Sequence, residues 1–307
     1  MPSLTAPDGL TFEYDTFGNA ADPTVLLVCG LGGQMTSWSE GFCRRIADAG
    51  RHVVCFDNRD CGLSTKFDGV AVDLADVVAA LRAGGPAAAR RVVPYTLSDM
   101  AADAVAVLDG LGIDRAHVVG VSMGGMIAQT VAIEHAERVL TLTSIMSMTG
   151  EPEYGAPSPE ARAFLMAPPP PDRATFIERS TDSLVWMSKR YADPAEVRRS
   201  AAAAYDRSFS PEGTARQFMA VVASGSRADG LRALDVPTLV IHGLDDTLID
   251  PSGGRRTAEL VPGARLLLLE DMGHDRPEPL WPDLCGAIVS HTAAPGPGRV
   301  PGRRTSG

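Results

Sequence analysis

The chain has 307 residues, 45% hydrophobic and 21% charged, the make-up of a soluble globular protein able to bury one large core. Its formal charge of −10 leaves nothing to neutralise phosphates and excludes a nucleic-acid binder. The 5 cysteines, Cys29, Cys43, Cys55, Cys61 and Cys285, lack paired C-x-x-C spacing. They suggest neither a zinc site nor a disulfide framework, and a reducing compartment is the simpler setting. The first residues, Met1-Pro2-Ser3-Leu4-Thr5, have no basic start and no apolar run, and no stretch is long enough for a membrane span. The expected location is the cytoplasm.

Along the chain, short apolar runs bounded by turn residues predict strands at Thr11 to Phe17, Thr24 to Cys29, Val53 to Phe56, His117 to Val121, Val139 to Met146, Thr238 to Ile241 and Arg265 to Leu269. Most of these runs are continuous rather than alternating, which fits strands buried on both faces of a mostly parallel sheet. Helices are expected between them, over residues 36–49, after the cap-like Ser98-Asp99 with Met100, Ala104, Val107, Leu108 and Leu111 on one face, and over Pro277–Ser290. The alternation predicts an α/β architecture with helices flanking the sheet.

Two stretches break the rhythm. Residues 64–96 are rich in Ala and Gly, and residues 150–232 contain no strand-like run. The second opens with prolines, turns helical and collects Trp186, Met187, Phe218 and Met219 among other apolar residues. It reads as a helical lid inserted into a core made of residues 1–149 and 233–292. These four residues, with Trp38, are candidate substrate contacts, and packing within the insertion's own core is the competing reading. Residues 293–307 are rich in Gly, Pro and Arg and are expected to be a disordered tail.

The stretch that carries chemistry is Gly120-Val121-Ser122-Met123-Gly124. A strand-like run leads into it and a helix-like run follows with almost no linker. Only a very sharp turn can join them, and it needs small residues on both sides of the serine. Such a turn holds a hydroxyl clear of the sheet, as a nucleophile requires. A serine also needs a base and a group to orient that base. Of the 6 histidines, His52, His117 and His242 sit at strand edges, His135 on a turn and His291 before the tail. His274 lies just beyond a buried strand, on a loop delivered to the C-terminal edge of a parallel sheet, and is the candidate base. The run Thr238 to Ile241 leads to Asp245, Asp246 and Asp250. Asp246 is the candidate orienting acid, while Asp245 and Asp250 read as turn and cap residues. Backbone N–H groups of Met123, at a helix start, and Leu31, in Gly30-Leu31-Gly32-Gly33-Gln34, are the candidate oxyanion donors. That glycine-rich loop lacks a G-K-[ST] ending, so it is no phosphate cradle.

Taken together, the Leu27–Gly32 loop, the turn Phe56-Asp57-Asn58-Arg59-Asp60-Cys61-Gly62-Leu63-Ser64, the serine turn, Ile241-His242-Gly243-Leu244-Asp245-Asp246 and Met272-Gly273-His274 resemble the α/β-hydrolase superfamily over nearly all of residues 10–292. The Asp57–Asp60 turn, Ala101–Gly110 and Ala116–Gly120 are similar to the aclacinomycin methylesterase group, actinobacterial esterases acting on polyketide methyl esters. Cys29-Gly30 stands where many superfamily members carry His-Gly. The resemblance implies an α/β-hydrolase fold in which Ser122, Asp246 and His274, in that chain order, cleave a carboxylic ester of an apolar small molecule without cofactor or metal. Lactone opening, C–C hydrolysis and cofactor-free perhydrolysis could use the same residues. A non-catalytic ligand-binding protein of this fold is the alternative from another class. Nothing in the residues indicates an oligomeric state.

Overall fold

A computed structural model describes residues 1–293, so the expected tail lies outside the described residues except for Ala293. The strands are β1 (Ser3–Thr5), β2 (Thr11–Phe17), β3 (Thr24–Val28), β4 (His52–Phe56), β5 (Ala116–Val121), β6 (Val139–Ile145), β7 (Thr238–Gly243) and β8 (Arg265–Leu269). They form one sheet in the order β1-β2-β4-β3-β5-β6-β7-β8. β1 and β2 pair antiparallel, β2 is antiparallel to β4, and β4 through β8 run parallel. Every residue of β3, β4, β5 and β7 is buried, which is the physical reason for their continuous apolar runs.

Among the described residues, eleven α-helices flank or leave the sheet: α1 (Glu40–Ala47), α2 (Leu74–Ala89), α3 (Leu97–Gly110), α4 (Met123–Glu134), α5 (Pro159–Leu165), α6 (Arg173–Arg179), α7 (Pro194–Arg207), α8 (Pro211–Ser224), α9 (Ala228–Arg232), α10 (Ser252–Leu260) and α11 (Trp281–Thr292). The two-residue period of the strands divides the core. Leu26, Val28, Val54, Phe56 and Val118 face one layer with α3 and α4. Val25, Leu27, Val53, Val119, Val121 and Ile145 face the other with α1 and α11.

One local expectation needs correcting. The N-cap of α3 is Thr96, not Ser98-Asp99. The Thr96 hydroxyl and N–H both meet the Asp99 carboxylate in a capping box, while Ser98 is already helical and bonds Glu134. The 64–96 stretch contains α2, kinked at Gly84-Gly85-Pro86 where Gly85 takes φ 64°. Helix α2 packs on α8 through Val77, Ala89, Met219 and Ala223. Between β6 and β7 the chain forms helices α5 to α9 and no strand.

The turn after β4 joins these layers. Asp57, Asn58, Arg59 and Asp60 are all buried. Arg59 makes two 2.6 Å bonds to the Asp103 carboxylate of α3, and Asp60 makes two 2.8 Å bonds to Arg216 of α8 and accepts from the Tyr95 hydroxyl. Removing one partner of a buried pair strands the other charge in low dielectric. Asp103→Ala is therefore expected to lower unfolding free energy by about 3–5 kcal/mol in urea titrations, with Arg59→Met costing less than Asp103→Ala. A loss under about 1 kcal/mol would show that the pair carries no such burden.

Candidate active site

The serine turn is as sharp as the residues require. β5 ends at Val121, α4 begins at Met123, and Ser122 alone joins them at φ 57° and ψ −123°. A side chain at Gly120 would overlap the backbone of Gly124, and one at Gly124 would overlap the carbonyls of Val28 and Cys29. The strained backbone is held from three sides. Ser122 N–H donates to Ile145 O at 2.9 Å, and Ser122 O accepts from Gly125 N–H at 2.9 Å and from the Ser147 hydroxyl at 2.8 Å. The Ser122 hydroxyl makes no hydrogen bond among the described residues, and Gly30 lies beside it, where an added Cβ would be 3.2 Å from Ser122 Cβ.

Asp246 follows β7 and His274 follows β8, so both loops reach the sheet edge at which β5 delivers Ser122. His274 Nδ1 lies 2.7 Å from Asp246 Oδ2. The carboxylate accepts, so Nδ1 carries the proton and Nε2 is left with its lone pair. The other oxygen, Oδ1, accepts from the N–H groups of Leu248 and Ile249 at 2.9 Å each. Asp246 is fully enclosed, whereas His274 keeps 9% of its side chain accessible, enough to meet a substrate. Burial works against the Asp246 charge. The facing His274 and the donors from His242 and His274 more than offset it and hold the carboxyl at about 2. The other two aspartates do different work: Asp245 pairs with Lys189 at 3.1 Å, and Asp250 accepts from Ser252 N–H at the start of α10.

His242 is the residue that sequence reading passed over. It is wholly buried, its Nε2 donates to Ile249 O at 2.8 Å, and the same nitrogen lies 3.3 Å from Asp246 Oδ2. Its place four residues before the acid was the available signal, yet a strand-end histidine looks the same in sequence. The remaining strand histidines are structural: His52 meets Thr24, His117 meets Thr141, and His291 bonds Leu142 O and Pro237 O.

The backbone N–H groups of Leu31 and Met123 have no hydrogen-bond partner among the described residues. Met123 is the first residue of α4, where helix N–H groups are necessarily free and the dipole favours negative charge. Cys29 beside the loop is no rival nucleophile, because burial pushes its thiol up to about 12 and keeps it protonated.

The candidate substrate contacts separate into two groups. Trp186 and Met187 reach the site: Trp186 O accepts His274 N–H at 2.6 Å, and Gly273 is flattened against the Trp186–Met187 backbone. Trp38, Phe218 and Met219 do not. Trp38 is 2% exposed, packed on Phe42 and beneath the Arg276 guanidinium at 4.3 Å. Phe218 and Met219 pack with α2. Their apolar side chains are core, which sequence cannot separate from pocket lining.

The chain belongs to the alpha/beta hydrolase fold family, whose model matches residues 23–276. Within it, the chain is 30% identical to the rhodomycin D methylesterase DnrP of Streptomyces peucetius and 29% identical to DauP of Streptomyces sp. strain C5, in each case over 96% of this chain and 99% of the relative. Among solved structures, the enol-lactonase from Burkholderia xenovorans LB400 superposes with a TM-score of 0.71 at 19% identity, covering 95% of this chain and all of that one, a likeness of fold.

The depressed Asp246 pKa has a consequence for stability. An acid lowered from its ordinary value near 4 to about 2 stabilises the folded state above pH ~4 and loses that contribution as pH falls through about 2. The size is on the order of 2 kcal/mol. The Tm gap between wild type and Asp246→Asn should therefore shrink steadily from pH 5 to pH 2. A gap constant across that window would contradict the pairing.

Proposed function

We propose that the chain is a serine hydrolase that cleaves a carboxylic ester of an apolar small molecule, with a methyl ester on a polycyclic, polyketide-like skeleton as the preferred substrate class. The observation that carries this reading is the His274–Asp246 bond at the sheet edge that also bears the Ser122 turn. The methylesterase relatives support the ester. The backbone contact of Trp186 and Met187 with the His274 loop supports reading residues 150–232 as a cover over the site. Five unpaired and buried cysteines support a cytoplasmic setting.

In this mechanism Ser122 Oγ attacks the ester carbonyl carbon while His274 Nε2 takes its proton. Asp246 holds the imidazole in the required tautomer and stabilises the imidazolium. The carbonyl oxygen becomes an oxyanion received by the Leu31 and Met123 N–H groups. Collapse breaks the carbon–oxygen bond, His274 returns its proton to the departing alcohol, and an acyl-Ser122 ester remains. Water then gives a proton to His274 and attacks the acyl carbon, releasing the carboxylic acid and restoring Ser122. The net reaction consumes one ester and one water and yields one acid and one alcohol.

Ser122→Ala should lower kcat on p-nitrophenyl esters by about 10⁴- to 10⁶-fold, and Asp246→Asn by about 10⁴-fold, with both variants folded by circular dichroism. Fluorophosphonate should label wild type on Ser122 and leave Ser122→Ala unlabelled. Near wild-type turnover in Ser122→Ala would overturn the assignment. For the substrate class, release of methanol from a polyketide-type methyl ester should exceed release from a short-chain methyl ester in kcat/KM, and the reverse ranking would remove the polycyclic preference.

A further inference from the structure

The Gly30-Leu31-Gly32-Gly33-Gln34 loop cannot hold its own shape. It has three glycines, Gly32 takes φ 63°, and its single internal backbone bond is Gly33 N–H to Gly30 O at 3.1 Å. Such a segment is entropically costly to order unless outside partners fix it. One partner is on the sheet side, where Asn58 Nδ2 donates to Cys29 O at 3.0 Å. Further partners come from the helical segment, 170 to 185 residues along the chain.

Gln217 of α8 is fully buried and spans the gap: its Oε1 accepts from Gly32 N–H at 2.9 Å and its Nε2 donates to Arg59 O at 2.7 Å. The loop approaches α8 so closely that a Cβ at Gly32 would lie 2.9 Å from the Thr214 hydroxyl. Gln34, at the far end of the loop, donates from Nε2 to the carbonyls of Ala204 and Ser208 at 2.7 and 2.9 Å, where α7 ends. Ala204 O also accepts from Ser208 N–H at 3.0 Å, whereas Ser208 O, at the C-cap of α7, receives its donor from Gln34. Arg207 closes the arrangement. Its Nη1 donates to Gln34 Oε1 at 2.6 Å and its Nη2 lies 2.7 Å from Asp57 Oδ2, as a charge contact rather than an aligned hydrogen bond. Asp57 Oδ1 in turn accepts from Met35 N–H at 2.7 Å, the residue after Gln34.

We propose that Gln217 and Arg207 are positioning residues for the reaction, and that α7 and α8 form the outer wall of the oxyanion hole instead of serving only as a cover. Neither side chain touches the reacting atoms. Each acts by holding the loop so that Leu31 N–H points where negative charge develops. The proposal rests on the oxyanion role assigned to Leu31 above. It gives the helical segment two duties: the Trp186–Met187 backbone abuts the His274 loop, and the α7–α8 end shapes the Gly30–Gln34 loop. It also implies that any opening of the segment must occur elsewhere than at α7–α8, since lifting that end would dismantle the hole.

The test pairs kinetics with a readout independent of turnover. Gln217→Met and Arg207→Met should each lower kcat on p-nitrophenyl acetate about 10- to 100-fold while KM stays within about threefold, because a displaced oxyanion donor is felt chiefly in the transition state. Amide hydrogen exchange across residues 29–35 should speed up in both methionine variants. Wild-type kcat in both methionine variants, or exchange in this loop unchanged in both, overturns the proposal. A rise in KM with unchanged kcat also overturns it, since that is the signature of a substrate contact. If exchange responds as expected while wild type hydrolyses no ester and takes no fluorophosphonate, the clamp on the loop stands and the hydrolase reading fails. A variant that unfolds is recognised by its circular dichroism, and the judgement then passes to Gln34→Leu, which removes the α7 contacts from the loop side with the same expected loss and the same overturning results.

Discussion

Four consecutive polar side chains, Asp57 to Asp60, are buried at the end of β4, and the architecture follows from the need to pair them. A buried charge without a partner is far too costly to keep, so each residue must recruit a group from another element. Asp57 takes Met35 N–H, Leu63 N–H and Arg207; Asn58 takes Cys29 O; Arg59 takes Asp103; and Asp60 takes Arg216 and Tyr95. These partners lie on the loop after β3, on α3 and on both α7 and α8. One turn of chain thereby helps dock the helical segment on the sheet, alongside the bonds of Gly32 and Gln34 and the apolar contact with α2.

The site sits where this polar junction meets a steric one. Ser122 is forced into a left-handed backbone by a strand and a helix that share no linker, and glycines at 120 and 124 permit the approach. Strain of that kind persists only when the surroundings over-determine it. Here β6 grips the serine through Ile145 and Ser147, and the Gly30 loop presses from the other side. The Asp246 carboxylate is similarly over-determined, with two backbone donors on one oxygen and His274 on the other. The imidazole therefore inherits its orientation from a rigid group.

Much of this was legible in the order of residues. Continuous apolar runs named seven of the strands, and the spacing of Ser122, Asp246 and His274 relative to those runs placed all three at one sheet edge. The misses share a cause. β1 is three residues long, too short to show a period, and its existence depends on pairing with β2. Ser98-Asp99 looks as good a cap as Thr96, and only the capping box decides between them. Phe218 and Met219 were offered as substrate contacts because aromatic and sulfur side chains line pockets, but such side chains fill cores equally well, and α2 is what they meet. His242 was set aside as a strand-end residue because nothing local reveals that its imidazole borders Asp246.

What the sequence by itself determined was the local chemistry: a serine that must sit on a sharp turn, an acid and a histidine on loops that follow buried strands, and a glycine-rich loop able to approach a reacting group. Each depends on sterics or periodicity within about ten residues, and such constraints are written where they act. Only the tertiary structure decided which groups hold that chemistry in place. Gln217, Arg207 and His242 lie far from their targets in sequence or are hidden in ordinary strand and helix contexts, and their donors and acceptors acquire partners only when separate elements are packed together in low dielectric.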